Sequence, residues 1–182
     1  MKQALSDTEI RIIAAAERIF LLKGLDGARM QDIADEASIN KAMLHYYFRN
    51  KQQLFDIILD DKISKVFDVF QVWAQPHLNF EQKLRKFVEE EINLIKSFPI
   101  LPLFIMLEAR KNPDLIPTKL KNFPIQDVKA TFQNIIQTDI DKGNIRPVKM
   151  EEIILNTMSL CVYPIIAAPL FQYTFKVDSS AY

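Results

Sequence analysis

Apolar residues recur along this chain at intervals of three and four, the period of an amphipathic helix, and alternating strand-like runs are few. The first periodic segment opens at Ser6-Asp7-Thr8-Glu9, where a serine followed three residues later by glutamate predicts a capping box. It is predicted to run to about Lys23, with Ile12, Ile13, Ala16, Ile19 and Phe20 on one face and Gly24 as its stop. Two short helices are expected next, Met30–Ala37 with Ile33, Ala34 and Ala37 inward, and Lys41–Phe48 behind the N-cap Asn40. Asn50 with Gln53 caps a longer helix, Lys51–Gln75, which Pro76 ends. Further segments follow at Phe80–Ser97, Leu101–Lys111, Ile125–Lys142 and Met150–Phe171, divided by turns such as Gly143-Asn144.

Composition agrees with an all-α fold. The chain has 182 residues, 49% of them apolar, and only 3 glycines, which allows a sizeable core and few loops of special geometry. Ile153–Phe175 carries no charge and is long enough to span a bilayer, yet Asn156, Thr157, Ser159 and Gln172 are polar and Pro164 and Pro169 interrupt it. A helix buried between subunits is the preferred reading, so no membrane partner is expected. The N-terminus has no secretion-signal pattern, and the one cysteine, Cys161, lies in an apolar stretch, which suits a cytoplasmic protein.

Charge changes the picture only locally. Lys plus Arg and Asp plus Glu both number 23, so the whole protein does not attract a polyanion. Between Lys41 and Lys51, however, Lys41, Arg49 and Lys51 are interleaved with His45, Tyr46 and Tyr47, and no acid intervenes. A basic, hydroxyl-bearing second helix after a tight turn suits the major groove: lysine and phenol groups hold phosphates, and side chains of its first turn reach base edges. A cation at the start of a helix is unfavourable unless an anion faces Lys51, and a phosphate would supply one.

The stretch IRIIAAAERIFLLKGLDGARMQDIADEASINKAMLHYYFRNKQQLF, residues 10–55, resembles the TetR family of repressors. The likeness is carried by Ala14-Ala15-Ala16 before Ile19-Phe20, Gly24, Asp32-Ile33-Ala34, Ala37, Lys41, Leu44, Tyr47-Phe48, Lys51 and Leu54-Phe55. It implies a three-helix DNA-binding domain over residues 1–50, with Met30–Ala37 bracing the recognition helix Lys41–Phe48 and with Tyr47 and Lys51 clamping phosphates. The candidate DNA-contacting residues are Arg29, Gln31, Lys41, Ala42, Met43, His45, Tyr46, Tyr47 and Lys51. Several positions depart from the family pattern: Ala28 stands where a capping threonine is common, Ser38 where glycine is usual, Ala42-Met43 replace Gly-Thr, and His45-Tyr46 alters the aromatic series. A left-handed backbone at Ser38 would cost about 1–2 kcal/mol.

The resemblance further implies that residues 51–182 form a larger helical domain that binds a small-molecule inducer and makes a homodimer. Trp73, Phe104, Met106, Leu107, Phe132, Ile136, Met158 and Tyr163 are candidate walls of the cage, with Glu108 or Arg110 as orienting groups; most could equally be core. Two copies would read a near-palindromic operator on double-stranded DNA. Ligand ordering of the cage would shift Lys51–Gln75 and change the separation of the reading heads. The family adds a helix beyond this point, whereas the chain stops at Tyr182 after Lys176-Val177-Asp178-Ser179-Ser180, leaving C-terminal truncation open.

Enzyme chemistry finds little support. His45 and His77 are the only histidines, one cysteine cannot build a Cys-rich zinc site, and there is no Gly-rich phosphate loop, so neither metal nor cofactor is expected. Glu89-Glu90-Glu91 reads as a solvated helix face. The alternative to an operator-releasing repressor is a helical sensor or interaction module that has lost DNA binding, motivated by Ala28, Ser38 and Ala42.

Overall fold

A computed structural model describes residues Leu5–Lys176. The tail from Val177, on which the truncation reading rested, lies outside the described residues. The described chain is helical: α1 Asp7–Gly27, α2 Met30–Glu36, α3 Lys41–Tyr47, α4 Lys51–Phe70, a 3₁₀ turn Gln71–Ala74, α5 Phe80–Ser97, α6 Leu101–Lys111, α7 Leu115–Leu120, α8 Ile125–Asp141, α9 Met150–Ile166 and α10 Ala168–Phe175. It divides into two compact units between Ile63 and Ser64, inside α4, whereas the sequence placed a boundary where α4 begins. The first thirteen residues of α4 go with the first unit because Leu54, Phe55, Ile58 and Leu59 are buried there, Phe55 lying edge-on to Phe20 of α1 at 5.3 Å.

In the first unit the predicted caps are formed. The Ser6 side chain accepts from the Glu9 amide while the Glu9 carboxylate accepts from Ser6, and the Ser6 amide lowers the Glu9 pKa first, its hydroxyl second. Asn40 accepts from the Met43 amide at 2.7 Å and opens α3. At the start of α4 the Asn50 side chain accepts from the Gln53 amide, but the Gln53 side chain reaches back to Arg49 rather than to Asn50. Gly24 interrupts α1 as expected, with φ 66°, after which helical geometry resumes for one short turn. Ile12, Ala15, Ala16 and Phe20 form the buried stripe of α1. Lys62 of α4 is buried too, its ammonium paired with Glu17 of α1 at 2.7 Å and with Asp61 at 3.3 Å.

The second unit has its core around Trp73, which stacks on Phe132 of α8 with ring centroids 3.7 Å apart and also meets Phe87 of α5 at 5.5 Å. Two long helices expected from the sequence are broken. Lys51–Gln75 tightens into a 3₁₀ turn at Gln71, whose end is held by the buried Lys83: its ammonium donates to the Trp73 carbonyl at 2.8 Å and to that of Gln75. Burial lowers the Lys83 pKa, and the carbonyls compensate its desolvated charge. Met150–Phe171 ends at Ile166 and restarts at Ala168, the two pieces bent by 62°. Pro169 explains the break, since it lacks the amide that would continue the ladder and its ring clashes with the preceding turn, whereas the first turn of a new helix accommodates it. A short helix, α7, was not foreseen. Gly143, at φ 73°, ends α8 as its sequence position suggests. No single helix among the described residues is long and apolar enough to cross a membrane.

Candidate nucleic-acid interface and ligand cavity

The placement of α3 follows from its sequence. Leu44 and Phe48 are buried at i, i+4 spacing, which turns the rest of the helix outward. Lys41, Ala42, Met43, His45 and Tyr46 are exposed, Tyr46 to 83%, and Tyr47 is half-buried with its ring edge-on to Tyr46 at 5.3 Å. His45 sets its ring against the Arg49 carbonyl, Nδ1 to oxygen 3.3 Å; because a carbonyl can only accept, Nδ1 carries the proton in this contact.

Acids on α2 do not oppose this surface unpaired. Lys23 pairs with Asp32 at 2.7 Å, Arg18 with Glu36 at 2.6 Å, and Gln31 donates to Asp35 at 2.7 Å. The Lys23 hydrogen bond is the main reason the Asp32 carboxyl lies below its usual range. Arg11 donates to the Ala37 carbonyl at 2.8 Å, satisfying the end of α2. Arg29 and Gln31 are exposed.

Two sequence expectations change and a third holds. The position preceding α2 that lacks a capping side chain is Arg29, not Ala28, which is buried at the end of α1. Lys51 has no need of a phosphate to justify its charge, because its ammonium donates to the Ala28 carbonyl at 2.9 Å and to that of Asp26 at 3.4 Å. An ammonium has three donors, so this tether leaves capacity for an anion without requiring one. Ser38 adopts φ 55°, the left-handed conformation foreseen where glycine is usual.

In the second unit a cavity of about 320 Å³ lies among α5, α6, α9 and the last turns of α4. Of the proposed cage residues only Met106 and Met158 line it. Trp73, Phe132 and Ile136 belong to the core, where the Trp73 stack leaves no room between them. Phe104 is buried away from the cavity, Leu107 and Tyr163 are exposed, and neither Glu108 nor Arg110 reaches it; Glu108 is paired with Lys111 at 3.3 Å.

The residue that sequence reading missed is Glu91. It was expected to sit with Glu89 and Glu90 on a solvated face, but only those two are exposed; Glu91 is buried and lines the cavity. The signal was the spacing of Lys83, Phe87, Glu91 and Ile95, an unbroken i, i+4 stripe that is the buried face of α5. Burial raises the Glu91 pKa, and its Oε2 has no hydrogen-bond partner. The Cys161 thiol is pushed up by burial and, secondarily, by the charge of Glu91. Among the described residues no cluster of His, Cys, Asp and Glu could hold a metal ion.

Residues 12–58 match the sequence profile of the bacterial regulatory proteins of the tetR family. The HTH-type transcriptional repressor KstR2 of Mycolicibacterium smegmatis is 22% identical over 136 residues, an alignment covering 75% of this chain and 66% of that protein. The HTH-type transcriptional regulator TtgR of Pseudomonas putida is 34% identical over 59 residues, 32% of this chain and 28% of the relative. The chain thus spans less than two thirds of these relatives' length. In fold it is similar to the ketosteroid transcriptional regulator KstR2 of Mycobacterium tuberculosis, with a TM-score of 0.70 at 18% identity over 90% of this chain and 84% of that one. It is also similar to FadR from Bacillus subtilis, solved in complex with stearoyl-CoA, with a TM-score of 0.61 at 16% identity over 88% of each chain. The N-terminal helices, with α3 turned outward, thus carry the profile of the tetR family of bacterial regulatory proteins over residues 12–58, and the described chain shares the helical fold of solved transcriptional regulators.

Proposed function

We propose that this chain is a ligand-responsive transcriptional regulator that holds a near-palindromic operator through α3 and releases it when a small molecule occupies the second unit. The observation that carries this reading is the exposed face of α3, where Lys41, Met43, His45 and Tyr46 project from a helix anchored by Leu44 and Phe48. Lys41 and Met43, in its first turn, are assigned to base edges, with Ala42 allowing close approach; Tyr46, Tyr47, Arg29 and Gln31 are assigned to the phosphate backbone, and Lys51 contacts phosphate with the capacity its tether leaves. The relative named a repressor, KstR2, supports repression, and the neighbour crystallised with stearoyl-CoA supports a ligand site in the second unit.

A homodimer completes the reading. Leu160, Tyr163, Leu170 and Tyr173 of α9 and α10 are exposed, an apolar surface that a second copy would cover. Two reading heads would then sit about 34–36 Å apart or at a multiple of one DNA turn. Such a regulator acts in the cytoplasm, and α4, which contributes residues to both units, is the element that would couple ligand to operator. Coupling requires that the ligand bind the DNA-free state more tightly than the DNA-bound one.

The test is fluorescence anisotropy of the protein with DNA from upstream of its own gene, across a series of salt concentrations. A specific complex should weaken steeply with salt; Lys41→Ala and Met43→Ala should alter sequence preference, and Tyr47→Phe should weaken all sequences alike. Absence of any salt-sensitive complex up to the non-specific range of about 10⁻⁴–10⁻⁶ M would overturn the assignment and favour a sensor without operator binding.

A further inference from the structure

The cavity among α5, α6, α9 and the end of α4 is apolar except at Glu91 and Ser159. Its walls include Phe98, Ile95, Met106 and Met158 together with Glu91 of α5, which is 4% exposed and whose Oε2 is unpartnered. The Ser159 hydroxyl is the other side-chain oxygen on the lining. A buried carboxylate without a donor is costly, and native structures seldom keep one unless something else satisfies it.

One ionisable group beside Glu91 and one beside the Phe98 wall leave Oε2 unpartnered. Cys161, close enough to feel its charge, lines a different groove and is a weak donor. Lys65 places its ammonium over the Phe98 ring, 5.9 Å from the centroid, and does not line the cavity. An occupant of the cavity can supply the missing group. It must be compact, because the volume is about 320 Å³, and apolar over nearly all its surface.

We infer that the cavity takes a small apolar molecule bearing a single protonated amine, with Glu91 as its counter-ion. An alcohol could donate one hydrogen bond but would leave the carboxylate's charge uncompensated in an apolar wall. A carboxylate ligand would place like charges together. An ammonium does both jobs: it donates to the unpartnered oxygen and neutralises the charge, and Ser159 can accept from a second of its protons. Burial alone favours the neutral acid of Glu91, so an arriving ammonium restores the charged form.

This inference rests on the reading of the second unit as a ligand sensor, and its test omits DNA so that the two can fail separately. Decylamine, decanol and decanoate are titrated calorimetrically into the purified full chain below their micelle concentrations. Decylamine should bind roughly tenfold or more tighter than either analogue, and Glu91→Gln should abolish that preference. Met106→Trp, at an exposed position on the rim, should weaken all binding by obstructing the cavity, and should Glu91→Gln not fold it still tests whether the decylamine preferred over decanol and decanoate binds in this cavity. Equal or tighter binding of decanol or decanoate, no binding of decylamine, or amine preference retained in Glu91→Gln would each overturn the proposal. So would decylamine affinity unchanged in Met106→Trp.

Discussion

The two units of this protein treat buried charge in different ways. In the first, the buried charge Lys62 is matched by Glu17 and Asp61, and Asp32 and Glu36 of α2 are matched by Lys23 and Arg18 of α1. In the second, the buried Glu91 keeps an unpartnered oxygen, while Leu155, Leu160 and Leu170 lie in solvent. A unit that satisfies itself internally can present a polar face to a polyanion without reorganising. A unit that leaves a buried acid unpartnered and apolar side chains in solvent is the one on which the proposed ligand and second copy would act.

The largest way to break this contrast lies in the second core. Trp73→Ala would remove the ring that stacks on Phe132 and meets Phe87, and we expect a loss of about 3–5 kcal/mol in chemical denaturation. Tyr46→Ala, on the exposed face of α3, should stay within about 0.5 kcal/mol while weakening DNA binding. Comparable destabilisation by both would show that α3 is structural rather than a presented surface.

Glu91→Gln sharpens the contrast through pH. The folded state raises the Glu91 pKa, so the native protein holds that proton more tightly than the unfolded chain. Stability from this source is full below the unfolded pKa and is lost as pH rises through the folded one. In denaturation series from acid to neutral pH, the parent should lose stability relative to Glu91→Gln over that window. A difference that grows in the opposite direction would mean that Glu91 is stabilised as an anion.

How much of this was legible in the sequence differs between the units for a physical reason. The first is governed by neighbours three or four residues apart: Ser6 with Glu9, Asn40 with the Met43 amide, Leu44 with Phe48. Such rules can be applied to a string of letters. Lys51 escaped them because its carbonyl partners lie 23 and 25 positions back. In the second unit, whether an apolar residue is core, cavity wall or surface depends on which helix comes to face it. Trp73 and Phe132 therefore read as cage residues until their stack was seen, and Glu91 read as solvated although its stripe with Phe87 and Ile95 was present in the letters. Likewise Pro169 signalled an interruption, but the 62° turn it produces depends on α10 restarting immediately after Ala167.

Lys51 provides the next, smaller test. Removing an ammonium shared between two carbonyls of a half-buried loop should cost about 1–2 kcal/mol in Lys51→Ala, discounted for its exposure to solvent. The discriminating measurement is the salt dependence of DNA binding. If Lys51 also meets a phosphate, the slope of log affinity against log salt falls by about one; if its work is confined to the tether, the slope stays and only stability moves.

The smallest effect belongs to the turn that connects α2 with α3. Ser38 holds φ 55°, where a Cβ crowds the backbone, and its amide and that of Ile39 donate to the carbonyls of Asp35 and Ala34, closing the end of α2. The chain keeps that conformation because these bonds, with Arg11 on the Ala37 carbonyl, fix where α3 begins. Ser38→Gly removes the crowding but gives the unfolded chain more freedom, so a net gain of about 0.5–1 kcal/mol is expected in thermal denaturation. Since the turn geometry is already the one glycine would choose, DNA affinity should not change. An altered affinity with unchanged stability would instead place the serine hydroxyl on the nucleic acid, extending the polar reading surface one turn beyond α3.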